Sequence, residues 1–451
     1  MSADNVANND VNNVENNIEN NIENNVENNL MSFKLPQDIG IKVIGGSTLL
    51  ARKALLPYSD EAINFLNELS ATLLRDIDAR QFADVIAFAY WCRGAHLKSL
   101  RDEWQATQPT QQMQSAKATG QMQARIGRGL VLHIAPGNVP INFAFSWVFA
   151  LLAGNSSIVR LPSREFAQVT WLLDKIDKVL LNHAKIKERS CFVRYATDSN
   201  VSAILSLACN ARIIWGGDRT VAALSLLPKQ PRCVDVVFPD RYSIALLDAT
   251  AVANSTDEQL KRLAQGFYND TYLMDQNACS SPHMLFWYTT SDDASMLAKA
   301  KAGFWQAVKA YASQHYNLQA QVVVDKYVHL CEDIIDGHVK APKNETLSFD
   351  ALMQVNELVV LPNSLTELRG LGGYFYQHEI RDIAKLAPFI TESYQTLVYY
   401  GIDKLALQQF VVENGLSGID RIVPFGQALD IDIVWDGYDL VSMLSRIVDI
   451  R

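Results

Sequence analysis

The clearest fold signal in the sequence is Gly129-Leu-Val-Leu-His-Ile-Ala-Pro-Gly-Asn-Val-Pro140. Residues 130–134, which are apolar except for His133, predict a buried strand, and Pro136-Gly137 predicts a sharp turn where that strand ends. Similar β-rich runs follow at Ser157-Ile-Val-Arg-Leu161 and at Ala211-Arg-Ile-Ile-Trp215, with helical patterns between them. This alternation is typical of βαβ units around a parallel sheet, so we expect an α/β fold.

Two further patterns indicate how the chain is divided. A second alternating stretch begins at Tyr242-Ser-Ile-Ala-Leu-Leu247 and continues past Tyr400, which predicts a second α/β domain. Upstream, Pro57-Tyr-Ser-Asp60 is a helix-start signal that leads into helical spacing of apolar residues. We expect these segments: a disordered Asn-rich tail (1–34), a first domain (35–242) with a helical part (55–104) and a flexible loop (105–123), a second domain (243–400), and a C-terminal segment that packs back on the core (401–451).

The composition excludes several classes of protein. The 451 residues are 49% hydrophobic and 20% charged, which is typical of a globular protein of two or three domains. A net charge of −9 argues against binding to nucleic acid or to an anionic membrane. Residues 1–30 hold six acidic residues and no basic ones, so the rest of the chain carries a charge of only −3. That tail contains a four-residue, Asn-rich repeat whose first copy is Val14-Glu-Asn-Asn17. Its composition favours disorder, with a partner-induced helix as the alternative.

The six cysteines form no C-x-x-C pair, which predicts neither a disulfide framework nor a zinc site. We expect a reducing, cytoplasmic location and no metal. No signal peptide is apparent, and the longest apolar run, Phe143 to Ala153, is shorter than a membrane span. We therefore expect no membrane-spanning segment.

Four positions along the sequence are candidates for chemistry, and three of them have a structural alternative. Asn138 offers an amide to an oxyanion, or simply accommodates a turn. Arg160 ends a strand and suits a phosphate, or is a surface cation. Gly217-Asp218 starts a helix whose N–H groups suit a pyrophosphate, although the full G-x-G-x-x-G pattern is absent. Cys279 lies in a polar stretch before an apolar strand and is the candidate nucleophile, or else a packing residue.

Four landmarks in order resemble the aldehyde dehydrogenase superfamily: Arg125–Pro140, Leu151–Ser163, Trp215-Gly-Gly-Asp218 and Gln276-Asn-Ala-Cys279. The sequence is most similar to the LuxC family of acyl-CoA (fatty-acyl) reductases. The segments that carry this closer likeness are Phe82–Arg93, Ala278-Cys-Ser-Ser-Pro282, Gln395-Thr396 and Trp435-Asp-Gly437. The resemblance extends from about Leu35 to Arg451, and it implies a Rossmann-type cofactor domain followed by a catalytic domain that carries the cysteine.

The resemblance also implies roles for individual residues. Cys279 matches the thiolate that forms an acyl-enzyme, and Asn138 matches the amide that stabilises the oxyanion with the Cys279 N–H. The implied NADP(H) site comprises residues of the first domain and one of the second: Ala135, Pro136, Gly137, Arg160, Ser163, Gly217, Asp218 and Glu392. Arg160 stands where the superfamily has a lysine, and Gly217-Asp218 stands where it has a Gly-Ser pair.

One departure from the superfamily bears on the reaction. Hydrolytic aldehyde dehydrogenases carry a glutamate that activates water, whereas the corresponding stretch here, Val236–Arg241, has none. Asp240 and Asp275 are the candidate substitutes. The missing glutamate favours reduction of an acyl donor over oxidation of an aldehyde to an acid. Together with the resemblance, it implies NADPH-dependent reduction of an acyl-CoA or acyl-thioester, by family default a fatty acyl one, to an aldehyde. The alternatives are an aldehyde-oxidising dehydrogenase and a non-reducing acyl-carrier or scaffold subunit. We expect a homo-oligomer, with an acyl-transferring enzyme as a candidate partner.

Overall fold

The computed structural model describes residues 31–107, 122–137, 139–340, 348–358 and 360–450. The chain divides into two compact units. The first unit is the chain up to Pro239 together with the chain from Tyr438 onward, and the second unit is Asp240–Gly437. Each unit is built on its own six-stranded sheet. Within the described ranges, no helix is long and apolar enough to cross a membrane.

The strands, in chain order, are β1 (Ser32–Lys34), β2 (Lys42–Gly46), β3 (Leu49–Ala51), β4 (Met122–Gly127), β5 (Leu130–Ile134), β6 (Ser156–Arg160), β7 (Ser190–Arg194), β8 (Ala211–Trp215), β9 (Val234–Phe238), β10 (Tyr242–Asp248), β11 (Pro282–Tyr288), β12 (Gln354–Glu357), β13 (Tyr374–Ile380), β14 (Tyr394–Tyr400), β15 (Arg421–Pro424), β16 (Val434–Trp435), β17 (Tyr438–Asp439) and β18 (Ser445–Ile450).

The α-helices are α1 (Asp60–Arg75), α2 (Ala83–Trp91), α3 (Gly94–Thr107), α4 (Asn142–Leu152), α5 (Ala167–Leu180), α6 (Ala184–Lys187), α7 (Val201–Ala208), α8 (Asp218–Ser225), α9 (Ala249–Ala253), α10 (Asp257–Asp270), α11 (Ala294–His315), α12 (Ala320–Ile335), α13 (Lys404–Glu413) and α14 (Leu440–Met443). Short 3-10 turns cover Ile77–Gln81, Tyr272–Met274 and Ile383–Phe389.

The sheet of the first unit has the order β2-β7-β6-β5-β8-β9. Only β2 runs antiparallel to its neighbour, and β5 pairs in parallel with both β6 and β8. Every residue of β5 and β8 is buried, as expected for central strands covered on both faces. The α/β fold predicted from the strand run at 129–140 is therefore confirmed.

A fully buried histidine lies in the centre of this sheet. His133 of β5 contacts Ser146 Oγ of α4 at 2.8 Å and Ser157 Oγ of β6 at 3.1 Å, and Trp215 Nε1 of β8 donates to Ser146 Oγ at 3.2 Å. Burial lowers the pKa of His133 to about 3, so the ring is neutral. These hydrogen bonds join three strands and one helix, and they fix the strands whose carboxyl ends carry the predicted cofactor residues.

Helix α1 forms where the sequence predicts it. Ser59 Oγ accepts a hydrogen bond from the Ala62 N–H at 3.4 Å, and Asp60 and Glu61 lie in the first turn, where negative charge is favourable. The apolar residues at helical spacing are all buried. They are Ile63, Leu66, Leu69 and Leu73.

The sheet of the second unit has the order β12-β13-β11-β10-β14-β15, and all its pairings are parallel. Alternate residues of β10 enter two separate cores. Ala245 and Leu247 pack in one core with residues of α10 and α11, and Ile244 and Leu246 pack in the other with residues of α12 and α13. The sheet is therefore covered by helices on both faces, which explains its unbroken apolar strands.

Three segment boundaries differ from the prediction. Residues 32–34 of the predicted tail form β1, which pairs antiparallel with β3, and residues 1–30 lie outside the described residues. Helix α3 extends through residue 107 and β4 begins at 122, so both ends of the predicted loop are regular structure. Of the predicted C-terminal segment, residues 401–437 belong to the second unit, whereas β17, α14 and β18 belong to the first, in which β18 pairs with β4.

Candidate active site

Cys279 lies on a short loop that leads into β11. The loop leaves the 3-10 turn at Tyr272–Met274 through Asp275 and Gln276, whose φ angles of 49° and 62° turn the chain sharply. Strands β10, β11 and β14 are neighbours that pair from their first residues. The loop therefore lies at the amino edge of the sheet of the second unit.

A buried glutamine holds the first half of this loop. The Gln276 amide nitrogen donates to the carbonyls of Tyr374 at 2.9 Å and Pro282 at 3.3 Å. Its oxygen accepts from the N–H groups of Gly373 at 3.1 Å and Tyr374 at 3.3 Å. All four bonds are to main-chain atoms, so Gln276 attaches the loop to the start of β13.

Ser243, the second residue of β10, holds the peptide of the cysteine itself. Its hydroxyl donates to the Cys279 carbonyl at 2.7 Å and accepts from the Thr396 N–H at 3.1 Å. Two residues after the cysteine, the Ser281 hydroxyl donates to the Asp270 carbonyl at 2.7 Å. Together with the bonds of Gln276, these contacts hold the loop before and after Cys279.

The half-buried Cys279 thiol has a carboxylate beside it. Its Sγ lies 4.0 Å from Asp240 Oδ1. Burial raises the pKa of the Cys279 thiol, the charges of Asp240 and Asp436 add to that increase, and the Arg241 N–H and the Arg369 charge oppose it. The thiol is therefore protonated at neutral pH and must lose its proton when it reacts.

Asp240 is itself held by Arg369. Arg369 Nη1 donates to the same oxygen, Oδ1, at 3.0 Å, and its Nε donates to the Thr366 carbonyl at 3.2 Å. The guanidinium carbon also lies 5.7 Å from the centroid of the Tyr242 ring, within reach of a cation–π contact. The geometry thus joins a thiol, a carboxylate and a fixed cation in the order Cys279, Asp240, Arg369.

Arg241 extends into a buried polar cluster below the loop. Its Nη2 donates to Asp420 Oδ2 and to the Tyr394 carbonyl, both at 2.6 Å, and its Nη1 lies 4.0 Å from Asp436 Oδ2. Asp436 also accepts from the Gln395 amide at 2.5 Å. Burial raises the pKa of Asp436 to about 6, although the Arg241 charge opposes the increase. The cluster fixes the main chain that neighbours Cys279.

The other cysteines lie in different surroundings. Cys92, Cys191, Cys209 and Cys233 are buried, and burial raises the pKa of each thiol, to about 12 for Cys191. Such thiols are poor nucleophiles. Cys331, on α12, is half-buried like Cys279 and supplies a matched control.

The predicted cofactor residues of the first unit meet at one edge of its sheet. Ala135, Pro136 and Gly137 follow β5, Arg160 ends β6 with Ser163 just beyond it, and Gly217-Asp218 follow β8. The Ala135 N–H donates to the Arg160 carbonyl at 3.2 Å. The carboxyl edge of a parallel sheet is where open α/β folds bind ligands. Asn138 lies outside the described residues.

Arg160 is fixed by three contacts. Its Nη2 donates to Thr197 Oγ1 at 2.8 Å and to the Tyr195 carbonyl at 3.5 Å, and its guanidinium carbon lies 4.8 Å from the centroid of the Tyr195 ring. The side chain is half-buried. A fixed planar cation at this edge is suited to a phosphate group.

Gly217 directly precedes α8 and has open space beside it. A Cβ placed on Gly217 would have no heavy atom within 4 Å, and Gly217 and Asp218 are both exposed. Glu392, the remaining predicted cofactor residue, is exposed two residues ahead of β14 in the second unit. It shares the amino edge of that sheet with the Cys279 loop.

Sequence reasoning named Asp240 and Asp275 as substitutes for the missing glutamate. The structure brings Asp240 to the thiol, whereas Asp275 Oδ1 accepts from the Tyr316 hydroxyl at 2.8 Å. Ser243 and Arg369 were missed. A serine inside the apolar run of β10 is a usable signal, but Arg369 lies 90 positions after Cys279 with no local motif.

Among the described residues, no group of three or more His, Cys, Asp or Glu side chains could hold a metal ion.

One protein-family model matches a large part of this chain. Residues 54–321, more than half of the chain, match the family model described as acyl-CoA reductase (LuxC). The chain belongs to this family. The resemblance to LuxC proteins expected from the sequence landmarks is thus confirmed.

Relatives of this LuxC protein include two named enzymes. One is the long-chain acyl-protein thioester reductase of Aliivibrio fischeri, 22% identical over 329 residues, and another is long-chain acyl-protein thioester reductase 2 of Photobacterium leiognathi, 28% identical over 329 residues. Each match covers 71% of this chain and 63% of the relative. The chain thus spans less than two thirds of the length of these relatives.

Solved structures with a similar fold are aldehyde dehydrogenases. They include the 1-pyrroline-5-carboxylate dehydrogenase from Thermus, solved with bound NAD, with a TM-score of 0.57 and 13% identity over 86% of this chain and 79% of that one. A benzaldehyde dehydrogenase from Corynebacterium glutamicum has a TM-score of 0.56 and 11% identity over 88% of this chain and 86% of that one. The aldehyde dehydrogenase-like fold expected from the sequence is confirmed.

Proposed function

We propose that this LuxC protein reduces an acyl thioester to an aldehyde through an acyl-enzyme on Cys279, with NADP(H) as its cofactor. The observation that carries the proposal is the half-buried Cys279 thiol with a carboxylate 4.0 Å from its sulfur, on a loop held by main-chain hydrogen bonds. A positioned nucleophile beside a proton acceptor is the arrangement that covalent catalysis requires.

The residues of the second unit act on the acyl donor as follows. Cys279 attacks the thioester carbonyl, and its proton moves to Asp240 Oδ1. The carbonyl oxygen gains negative charge, for which the Cys279 N–H and the amide of Asn138 are the proposed donors. When the carrier thiolate leaves, Asp240 returns the proton to it. The products are a Cys279 thioester and a free carrier thiol, so the step balances without any other reactant.

The residues at the carboxyl edge of the first unit fit a dinucleotide. The exposed Gly137 and Gly217 permit close approach of phosphate to the main chain, and the first N–H groups of α8 suit a pyrophosphate. Arg160, fixed on Tyr195 and Thr197, is the proposed partner of a 2′-phosphate, and this favours NADP(H) over NAD(H). Ala135, Pro136, Ser163, Asp218 and Glu392 complete the proposed site. When bound, the reduced nicotinamide supplies hydride to the acyl carbon.

The acyl donor is proposed as a thioester carried either by CoA or by a protein. The family model is described as an acyl-CoA reductase, and the relatives are named acyl-protein thioester reductases. Both donors present the same acyl thioester to Cys279. An acyl-transferring enzyme is the proposed partner for the protein-bound donor.

The test is NADPH oxidation, with detection of the aldehyde, against acyl-CoAs of increasing chain length. We expect turnover in the wild type and in Cys331→Ala, the matched half-buried cysteine variant, and none in Cys279→Ala. NADPH oxidation by Cys279→Ala with acyl-CoA would overturn the proposal. Free acid formed from aldehyde and NADP+ without CoA would favour an oxidising dehydrogenase instead, and acylation without NADPH binding would favour a scaffold subunit.

A further inference from the structure

We propose that Arg369 is a positioning residue that protects the acyl-enzyme from hydrolysis, because it occupies the side of Asp240 from which a water molecule would be activated. This inference rests on the proposed function, since it needs a thioester on Cys279. It assigns the choice between reduction and hydrolysis to a residue distant from Cys279 in the sequence.

The geometry places Arg369 and the thiol on one carboxylate oxygen. Asp240 Oδ1 accepts from Arg369 Nη1 at 3.0 Å and lies 4.0 Å from Cys279 Sγ. A carboxylate oxygen accepts about two hydrogen bonds, and Oδ1 has both the guanidinium and the thiol as neighbours. Once the sulfur is acylated, the acyl group lies on the sulfur side and Arg369 covers the other.

Hydrolysis through Oδ1 of Asp240 would need the position that Arg369 occupies. A water molecule would attack the acyl carbon while its proton passes to Asp240. The C–S bond would then break, and the Cys279 thiolate would take the proton back. The products are a carboxylic acid and the free thiol, so the reaction needs only water. An orienting hydrogen bond from that water to Oδ1 competes directly with the bond from Nη1.

Water does reach this pair, so its exclusion from Oδ1 depends on the arginine. The Arg369 side chain is 37% exposed and the Asp240 side chain 47% exposed. Arg369 does not swing freely, because its Nε is bonded to the Thr366 carbonyl and its guanidinium lies over the Tyr242 ring. A residue fixed at three points keeps its place in a solvated site better than a single surface ion pair would.

Removal of Arg369 affects the leaving group and water activation in opposite directions. The Arg369 charge lowers the pKa of the Cys279 thiol, so its removal makes the sulfur a poorer leaving group and by itself slows hydrolysis. Faster hydrolysis in an Arg369 variant therefore cannot come from the sulfur. It would have to come from water activation at Asp240.

The experiment follows the decay of the acyl-enzyme without any cofactor. Protein is acylated with an acyl-CoA, freed of excess donor, and sampled by intact mass spectrometry over time. The variants are Arg369→Leu, Arg369→Lys, and Arg369→Leu combined with Asp240→Asn. Arg381→Leu is the matched control, since Arg381 pairs with Asp292 beyond the far end of β11. Circular dichroism and thermal melting establish that each variant is folded.

We expect the adduct of Arg369→Leu to decay about a hundredfold faster than that of the wild type, the lower end of the range for general-base catalysis. Arg369→Lys, which keeps a cationic donor, and the double variant should both decay close to the wild-type rate, as should Arg381→Leu. Unchanged decay in Arg369→Leu would overturn this inference while leaving the proposed function intact. Equally fast decay in the double variant would also overturn it. If no adduct forms on the wild type, the proposed function itself fails.

Discussion

Replacing Asp240 by asparagine should move two properties of Cys279 in opposite directions. The substitution keeps the size and one acceptor oxygen of the side chain but removes a negative charge 4.0 Å from the sulfur. Since that charge raises the pKa of the thiol, its loss lowers the pKa and increases the thiolate fraction at neutral pH. The same substitution removes the proposed proton acceptor, so turnover should fall even though the thiol ionises more readily.

The size of the charge effect follows from the separation and the exposure. Two unit charges 4 Å apart interact by about 1 kcal/mol in water and about 4 kcal/mol at an effective dielectric constant near 20. Because Asp240 is 47% exposed, solvent screening favours the lower figure. About 1 kcal/mol corresponds to roughly a fivefold larger thiolate fraction at pH 7.

The assay compares alkylation of Cys279 by iodoacetamide with NADPH oxidation on the same samples. We expect Asp240→Asn to be alkylated roughly fivefold faster at pH 7 and to turn over about a hundredfold more slowly, the lower limit for loss of a general base. Asp275→Asn is the matched control, because that carboxylate is bonded to Tyr316. Slower alkylation of Asp240→Asn, or turnover equal to that of the wild type, would show that Asp240 does not act on the Cys279 thiol in this way.

Three further predictions concern other residues. Arg160→Leu should reduce the preference for NADPH over NADH by about ten- to a hundredfold, which is the value of a charge-assisted hydrogen bond. The ratio of the two kcat/KM values measures this preference, and an unchanged ratio would show that Arg160 does not bind the 2′-phosphate. Asp218→Ser removes a negative charge from the first turn of α8 and should tighten NADPH binding about two- to fivefold. Titration calorimetry measures this affinity, and weaker binding would contradict the proposed position of the pyrophosphate. Burial raises the pKa of Asp270 to about 7, although hydrogen bonds from the N–H groups of Gly426 and Ala428 oppose the increase. Between about pH 4 and pH 7 this carboxyl therefore binds more protons in the folded state than in the unfolded state. Its contribution to the free energy of unfolding should fall as the pH rises through that range. Asp270→Asn should flatten that slope in urea titrations, and an unaltered slope would assign it to other groups.

The fold could largely be predicted from the sequence because its main signals are local. The runs that became β5, β6 and β8 are short and apolar, and the spacing of Ile63 and Leu66 in α1 is helical. The boundaries that differ depend on distant partners. Strand β18 joins the first unit because it pairs with β4, more than 300 positions earlier in the chain, and no local pattern in either segment reveals that pairing.

The candidate site shows the same division between local and distant information. Cys279 stood out because its polar surroundings contrast with the apolar strand that follows, and Asp240 was a candidate because it falls in the stretch that lacks a glutamate. The partners that define their chemistry come from far along the chain. Ser243 and Arg369 contribute through contacts that only the packing of β10, β11 and the loop before β13 creates.

The most direct test of the central claim is the mass of the protein after incubation with an acyl-CoA in the absence of any cofactor. We predict an increase equal to one acyl group, mapped to Cys279 by peptide sequencing, in the wild type and in Cys331→Ala, with no adduct in Cys279→Ala. Addition of NADPH should then remove the adduct and release aldehyde. An adduct on another residue, or aldehyde formation by Cys279→Ala, would show that Cys279 is not the nucleophile.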